Sequence, residues 1–190
     1  EMQKRLHSAV IQGVHVETFN SFCEKLLQKH HEAAYGRDMR VLSYRDKIDL
    51  IHQALKKYGK TMPQAVELYY SHMRGKTADE LMHGFINDCF TVLEYYKSEG
   101  KELDDFYLND ALSVRERASA RLVHAVCAEV ILLMEQHGFR DYTDQLLHTI
   151  TFFERHPEHI PYYQHVLVDE YQDVNSSQIH LSRIIPKERK

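Results

Sequence analysis

The sequence lacks the features that identify membrane, secreted and disulfide-rich proteins. No apolar run approaches the roughly 18 residues that a membrane span requires, and no charged, apolar and small-residue series at the start predicts a signal peptide. Its three cysteines are odd in number, far apart and set among apolar residues with helical spacing. This pattern favours reduced, buried thiols, so we expect a cytoplasmic protein with no membrane partner.

Massed positive charge is missing as well. The net charge is −4 with histidines neutral, and lysine and arginine are scattered along the chain. The electrostatic footprint of a duplex-DNA binder is therefore absent, and a nucleic-acid role would have to depend on a local groove. The 14 histidines lack the spacing to cysteines or carboxylates that is typical of a zinc site, which argues against a metal role for them.

The 190 residues also contain no complete phosphate-binding loop. The Gly-Lys-Thr triplets at 59–61 and 75–77 imitate the end of such a loop, but Ala54 and Tyr70 occupy the positions of the required upstream glycine. Both triplets follow a predicted helix, whereas a phosphate loop follows a strand. We therefore interpret each triplet as the end of one helix and the start of the next.

Helical periodicity dominates the chain, which is 43% hydrophobic and long enough to bury a core in one domain or slightly more. An amphipathic pattern predicts a helix over 1–12. Capping-box spacings at 43–46, 61–64 and 77–80 predict further helix starts, and Gly138 is expected to end a long helix. Other helices are expected over about 20–31, over about 141–155 and after the acidic residues near 170.

Strands are predicted only near the ends of this helical region. Residues 14–19 alternate in polarity, and 166–168 form a short apolar run that predicts a strand buried on both faces. The expected fold is mainly α, with a large helical insertion over 35–140 attached to two strands of a parallel α/β sheet. Those strands would belong to the flanking segments 1–34 and 141–190.

The clearest chemical signal follows the second predicted strand, where Asp169 and Glu170 are adjacent. A strand end that presents two carboxylates is how nucleotide-hydrolysing α/β proteins hold magnesium. One carboxylate binds the metal, and the other can orient or deprotonate the attacking water. Taken alone, the pair is also compatible with a solvated acidic turn.

A longer string resembles a known motif. Residues 168–178, Val-Asp-Glu-Tyr-Gln-Asp-Val-Asn-Ser-Ser-Gln, resemble the Walker B motif V-D-E-[FY]-Q-D-x-[ND]-x-x-Q of superfamily 1 DNA helicases of the UvrD/Rep/PcrA type. Three further segments resemble that family in the same order: E-M-x-x-R-[IL] at 1–6, T-F-H-S-F-C at 18–23 and D-[FY]-x-D-L-[LI] at 141–146. Asn20 replaces the usual histidine of the second segment, and Gln145 interrupts the leucine pair of the last.

The resemblance implies a nucleotide site on a P-loop-type parallel sheet. Asp169 would coordinate the Mg²⁺ that is bound with ATP, and Glu170 would activate the hydrolytic water. Gln172 would sense the γ-phosphate or link it to the next motif, and Asp173 would support that network.

The resemblance also implies contacts with single-stranded DNA by Thr18, Phe19 and Asn20. An aromatic ring beside small hydrogen-bond donors suits base stacking and phosphate contact, although Phe19 is equally compatible with core packing. Tyr142 and Asp144 would support the site, with helix capping and packing as the alternative role.

The helical region would correspond to the family's insertion subdomain, which is expected to shape the path of DNA and to dock duplex or partner proteins. Candidate phosphate contacts there are Lys56, Lys57, Lys60, Arg74 and Lys76. A solvated helix face is the alternative for these residues.

The resemblance therefore predicts a fragment of an ATP-dependent DNA helicase that translocates on single-stranded DNA and unwinds duplex in replication or repair. Its partners would be single strands, single/double-strand junctions and repair or replication proteins. The chain alone is expected to be inactive, because it lacks the Walker A segment, the arginine finger and a second motor domain. The alternatives are a RecB/AddA-like helicase-nuclease parent, and a non-catalytic helical docking module with a vestigial Walker B motif.

Overall fold

The structure is a computed structural model that describes residues 14–70, 75–103 and 106–185. The predicted helix at 1–12, with the motif at 1–6, and the candidate contact Arg74 lie outside these residues. Contacts along the chain separate two compact units. We call them the helical unit, Arg37–Asp144, and the flanking unit, Glu1–Gly36 with Gln145–Lys190.

The described residues are mainly helical. Their α-helices are α1 (Phe19–Lys29), α2 (His31–Tyr35), α3 (Tyr44–Lys57), α4 (Met62–Tyr69), α5 (Ala78–Ser98), α6 (Val114–His137), α7 (Tyr142–Arg155) and α8 (Ser176–Ile184). Single 3₁₀ turns lie at Pro157–His159 and Tyr171–Asp173, and the strands are β1 (Arg40–Val41) and β2 (Phe139–Arg140). Across these described ranges, no helix combines the length and the apolar character that crossing a membrane requires.

Side chains that cap the helices determine where most of them begin. Ser43, Thr61, Thr77, Ser113 and Asn175 are N-caps, and each forms a capping box with the residue three positions later. These contacts satisfy first-turn amides that have no partner within the helix. The starts predicted at 43, 61 and 77 are confirmed. The threonines of both Gly-Lys-Thr triplets are therefore helix caps, as the missing upstream glycines indicated.

The core of the helical unit forms where apolar stripes of α3, α4, α5 and α6 face one another. Leu50, Phe85, Leu93 and Val126 are among its fully buried side chains. Each contributes roughly 1.5–3 kcal/mol through removal of its apolar surface from water. The prediction that these stripes form a core is confirmed.

The flanking unit packs α1, α7 and α8 around a second core that includes Cys23, Leu27, Phe153 and Leu181. Burial raises the pKa of the Cys23 thiol to about 11, so the thiol stays protonated at neutral pH. All three cysteines are free and buried, as the sequence predicted.

The observed sheet lies where the sequence predicted no strand. β1 and β2 pair in parallel, with Arg40 opposite Phe139 and Val41 opposite Arg140. Both strands fall within 35–140. A strand of two residues is too short to produce an alternating pattern, so periodicity does not reveal it.

The two strands that were predicted are not formed, and that part of the expectation was wrong. Residues 14–18 are irregular and lead into α1, and 165–168 are irregular as well. Leu167 is 95% exposed, although a strand buried on both faces was expected there. No backbone hydrogen bond joins 165–168 to another residue that the structure describes. An apolar run can indicate strand propensity, but a strand forms only where a second backbone supplies its hydrogen bonds.

Gly138 connects α6 to β2 and lies close to the backbone of Asp38, which precedes β1. Its φ is +67°, and a Cβ atom there would lie 2.7 Å from the carbonyl oxygen of Asp38. Gly59 has almost the same φ, +63°, but a Cβ atom there would meet nothing within 4 Å.

We expect Gly138→Ala to destabilise the protein more than Gly59→Ala. Both substitutions carry the left-handed backbone cost of about 1–2 kcal/mol, but only Gly138→Ala adds a backbone clash costing about 1–3 kcal/mol more. Urea unfolding of the two variants measures the difference. Equal losses of stability would show that the backbone at Asp38 can move away from the added Cβ atom.

Candidate functional site

The two predicted catalytic carboxylates lie on an exposed turn of the flanking unit. The Glu170 amide donates a hydrogen bond to Asp169 Oδ1 at 3.0 Å. The Asp173 amide then donates to the Glu170 carbonyl oxygen at 2.8 Å, which closes the 3₁₀ turn. Asp169, Glu170 and Asp173 are all exposed, so their oxygens face solvent rather than the core.

Glu170 has a backbone conformation that non-glycine residues rarely adopt. Its φ is +47° and its ψ is +45°, and it is the one non-glycine residue with positive φ in the part of the chain that the structure describes. This conformation costs about 1–2 kcal/mol. The side-chain nitrogen of Gln172, Nε2, donates a hydrogen bond to the Glu170 carboxylate, so this contact fixes the Glu170 side chain. The structure thus brings Glu170 and Gln172 into direct contact.

The second half of the Walker B-like string is a helix start. Asn175 Oδ1 accepts a hydrogen bond from the Gln178 amide at 2.9 Å, and Gln178 Oε1 accepts one from the Asn175 amide at 3.0 Å. The spacing N-x-x-Q therefore caps α8 and anchors the carboxylate turn to a helix of the core. This role was missed in the sequence, although the spacing is that of a capping box.

The three predicted DNA contacts lie at the start of α1. Thr18 is the N-cap, and its hydroxyl oxygen accepts a hydrogen bond from the Ser21 amide at 3.2 Å. Phe19 is half-buried and packs against the core of the flanking unit. Asn20 is half-buried too. The T-F-N-S segment is thus a helix start that presents side chains at its N-terminus.

One cavity brings these residues together with Asp169, one of the two predicted catalytic carboxylates. It has a volume of about 640 Å³ and lies within the flanking unit. Its wall includes Thr18, Phe19 and Asn20 on one side, and Val168 and Asp169 on another. The structure does not bring Glu170, Gln172 or Asp173 into this wall. Two segments that are distant in sequence therefore border the same open volume.

The cavity wall also contains groups that the sequence reasoning missed. Glu17 accepts hydrogen bonds from Lys25 Nζ at 2.6 Å and from the Ser21 hydroxyl at 3.4 Å. The ring of His15 contacts Tyr163 edge to face, with 5.7 Å between ring centroids. Burial, and next the negative charge of Glu17, raise the pKa of Tyr163, so its hydroxyl remains a hydrogen-bond donor at neutral pH.

A second open volume of about 590 Å³ also borders residues 164–168, together with Tyr171 and Ser182. Val166, Leu167 and Val168 line both volumes. The apolar run before Asp169 therefore has unfilled space beside it in two directions, in agreement with its lack of backbone partners.

Asp144 lies in the helical unit and stabilises the start of α7. It donates its amide to Asp141 Oδ1 at 2.8 Å and accepts the Asp141 amide on Oδ2 at 3.0 Å. Tyr142 is 64% exposed. The ammonium of Lys97, on α5, lies 2.7 Å from Asp141 and 2.6 Å from Asp144. Burial lowers the pKa of Lys97, but Asp144 and Asp141 raise it by more, so this ammonium stays charged.

The candidate phosphate contacts of the helical unit have varied surroundings. Lys57 forms an ion pair with Glu129, and Lys76 lies 5.9 Å from the ring centre of Tyr70. Lys56 and Lys60 are exposed. These positions agree with a solvated helix surface.

Gln145 marks a departure from the helicase pattern and is 2% exposed. Its side-chain nitrogen, Nε2, donates a hydrogen bond to Glu24 Oε2 at 2.7 Å. Glu24 Oε1 accepts a hydrogen bond from Gln28 Nε2 at 2.6 Å. The side-chain oxygen of Gln145, Oε1, has no hydrogen-bond partner among the described residues, whereas its backbone carbonyl oxygen accepts a hydrogen bond from the Thr149 hydroxyl at 2.8 Å. A polar contact between α1 and α7 thus stands where the family pattern has a leucine.

The carboxylate turn fits a magnesium ion that is held partly by phosphates. Within the described ranges, no group of three or more His, Cys, Asp or Glu side chains is arranged to hold a metal. Mg²⁺ is usually held by one or two carboxylates together with waters and substrate phosphates. Asp169 and its neighbours supply oxygen donors of that type, so a nucleotide would have to complete the site.

Comparison with known proteins gives one consistent result. The family described as the UvrD/REP helicase N-terminal domain matches residues 1–190. DNA helicase II of Rickettsia typhi is 23% identical over 193 residues, which is 97% of this chain and 26% of the relative. The ATP-dependent DNA helicase PcrA of Staphylococcus epidermidis is 24% identical over 194 residues, 97% of this chain and 23% of the relative. The chain thus spans about a quarter of the length of these relatives.

We expect Lys97→Met to destabilise the protein by about 3 kcal/mol. The substitution leaves the carboxylates of Asp141 and Asp144 close together without a compensating charge, and both are shielded from water. The matched control is Lys57→Met, which removes an exposed lysine that faces a single carboxylate, Glu129, so no pair of like charges is left behind and the loss should be clearly smaller. Urea unfolding measures both variants. A Lys97→Met loss no larger than that of the control would contradict the assigned role of Lys97.

Proposed function

The chain belongs to the UvrD/REP helicase N-terminal domain family, and we propose on that basis that it is part of the first motor domain of an ATP-dependent DNA helicase. The intact protein would translocate on single-stranded DNA and unwind duplex in replication or repair. The observation that carries this proposal is the cavity of about 640 Å³ that Asp169 borders together with residues 18–20.

The domain assignment follows the two units. The flanking unit would be part of the motor domain, which would contain a P-loop-type sheet. The exposed Leu167 and the open volumes beside it support this proposal, because an exposed apolar run is a surface that another part of the motor domain would cover. The helical unit would be the insertion subdomain, which docks duplex or partner proteins.

The carboxylate turn would provide the hydrolytic half of the nucleotide site. Asp169 would hold the Mg²⁺ that accompanies ATP, and that ion would neutralise charge on the phosphates. Glu170 would orient the attacking water and accept its proton. Gln172, which donates to the Glu170 carboxylate, would hold this side chain until the γ-phosphate is bound. Asp173 would keep the 3₁₀ turn closed through its amide.

The start of α1 would contact the DNA strand. Thr18 accepts the Ser21 amide, but its hydroxyl hydrogen can still be donated to a phosphate oxygen. Asn20 can donate through its amide, as the family's histidine would through its ring. First-turn amides and the helix dipole also favour a phosphate at this end of α1. Phe19 packs against the core, so any contribution to base stacking would come from the ring edge.

The shared cavity suggests how the nucleotide site and the DNA contacts would affect each other. A shift of Val168 and Asp169 on nucleotide binding would change the same wall that Thr18 and Asn20 border. The side chains that meet single-stranded DNA would then respond to the state of the nucleotide.

A non-catalytic docking module is the second candidate. The lack of a complete phosphate loop in the 190 residues favours it, because nucleotide would be held weakly without one. The intact D-E-Y-Q-D string and the Gln172 contact with Glu170 favour the motor-domain proposal. A RecB/AddA-like helicase-nuclease parent would use the same residues.

In the full-length protein, Glu170→Gln is expected to lower kcat for DNA-stimulated ATP hydrolysis by about 10² to 10⁴-fold, because an amide cannot accept the proton of the attacking water. Glu32→Gln, an exposed carboxylate on α2, is the matched control and should retain wild-type turnover.

The 190-residue chain alone should show no magnesium-dependent ATP turnover. Turnover that is unchanged by Glu170→Gln in the full-length protein would reject the catalytic assignment of Glu170, whereas absence of turnover in the wild-type full-length protein would favour the docking module.

A further inference from the structure

Three histidines surround one buried phenylalanine in the flanking unit. Phe152, near the end of α7, is 3% exposed. His30, the residue that ends α1, stacks on it with 5.5 Å between ring centroids. His156 and His159 approach the same ring, at 5.0 and 5.6 Å. We call these residues the histidine cluster.

The histidine cluster joins the end of α1 to the turn at 157–159. The rings of His30 and His159 lie 4.3 Å apart between centroids, which is a direct contact between the two elements. Within the turn, the His156 amide donates to the Phe152 carbonyl at 2.8 Å, and the His159 amide donates to the His156 carbonyl at 3.0 Å. The contact between α1 and the turn therefore depends on ring packing, which suits uncharged imidazoles.

Few negative charges face these rings. Glu158 lies 3.4 Å from His156 Nδ1 and 3.8 Å from His159 Nε2, so one carboxylate serves two imidazoles. Besides Glu158, the titratable or charged residues within two positions of the cluster in sequence are Lys29, His31, Glu32, Glu154 and Arg155. Glu154 is 4.0 Å from His180, and His31 Nδ1 is 3.2 Å from the Gln28 carbonyl oxygen. His30 has the positively charged Lys29 beside it.

We propose that the histidine cluster is a proton-sensitive contact, in which neutral rings hold the turn at 157–159 against the end of α1 and protonation releases that turn. Glu158 can compensate one positive charge. A second proton would place like charges on rings that are in contact, with His30 and His159 only 4.3 Å apart between centroids.

The direction of the pH effect follows from His30. Burial lowers the pKa of His30, and the neighbouring His159 and Lys29 lower it further. The unfolded chain therefore takes up this proton first as the pH falls below about 6.5, the ordinary value for histidine. The contribution of the neutral ring to stability is complete above that pH and is lost as the pH falls through the lower folded-state pKa.

This contact would affect both the carboxylate turn and the proposed DNA contacts at the start of α1. The turn at 157–159 continues into the segment that ends at Asp169, and α1 begins at the proposed DNA contacts. That consequence rests on the proposed function, whereas the proton-sensitive contact itself does not.

The test follows the 190-residue chain by NMR from about pH 8 to about pH 5, with imidazole signals and amide hydrogen exchange as readouts. We expect the imidazole signal of His30 to titrate together with the amides of 157–160. Exchange of those amides, corrected for its intrinsic pH dependence, should become several-fold faster on acidification.

His30→Phe keeps a ring at the contact but removes the titrating group, so it should suppress this acceleration. His31→Phe, an exposed histidine at the next position, should leave it unchanged. His159→Phe replaces His30→Phe if the latter does not fold, and the wild-type titration needs no variant.

The proposal would be overturned if the His30 signal titrates while the amides of 157–160 show no change. It would also be overturned if amide exchange accelerates equally in His30→Phe and in the wild type. Because no readout depends on ATP or DNA, its failure would leave the proposed function untouched, and the reverse also holds.

Discussion

Capping of helix N-termini by side chains positions each helicase-like segment that the structure describes. Thr18 caps α1, Asp141 forms a reciprocal pair with Asp144 at the start of α7, and Asn175 caps α8 with Gln178. Each cap satisfies amides that the helix leaves without partners, a contribution of about 1 kcal/mol per cap. The same short motifs thus start a helix and present polar side chains at a defined point.

Local chemistry explains how much could be predicted from the sequence. Capping boxes and apolar stripes involve residues a few positions apart, so the helix starts at Ser43, Thr61 and Thr77 were correctly predicted. Strands were predicted wrongly because pairing is not local. The apolar run at 166–168 has strand propensity but no backbone partner among the described residues, while β1 and β2 are too short to show a pattern.

The candidate site follows the same division. Its residue types could be identified from sequence motifs. In contrast, the cavity that joins Asp169 to the start of α1 depends on how segments distant in sequence pack. The pairing of Lys97 with Asp141 and Asp144, and that of Gln145 with Glu24, also join residues far apart in sequence. The left-handed backbone of Glu170 had no sequence signal, since only glycine would have indicated it.

The proposed nucleotide site at Asp169 and the proposed DNA contacts at the start of α1 border a shared cavity, and the central claim is that they respond to one another through it. Hydrogen exchange of the full-length protein, with and without a magnesium-bound non-hydrolysable ATP analogue, tests it most directly. The account predicts that nucleotide changes exchange at 164–170 and at 15–20 together. A change confined to 164–170, with 15–20 unaffected, would contradict it.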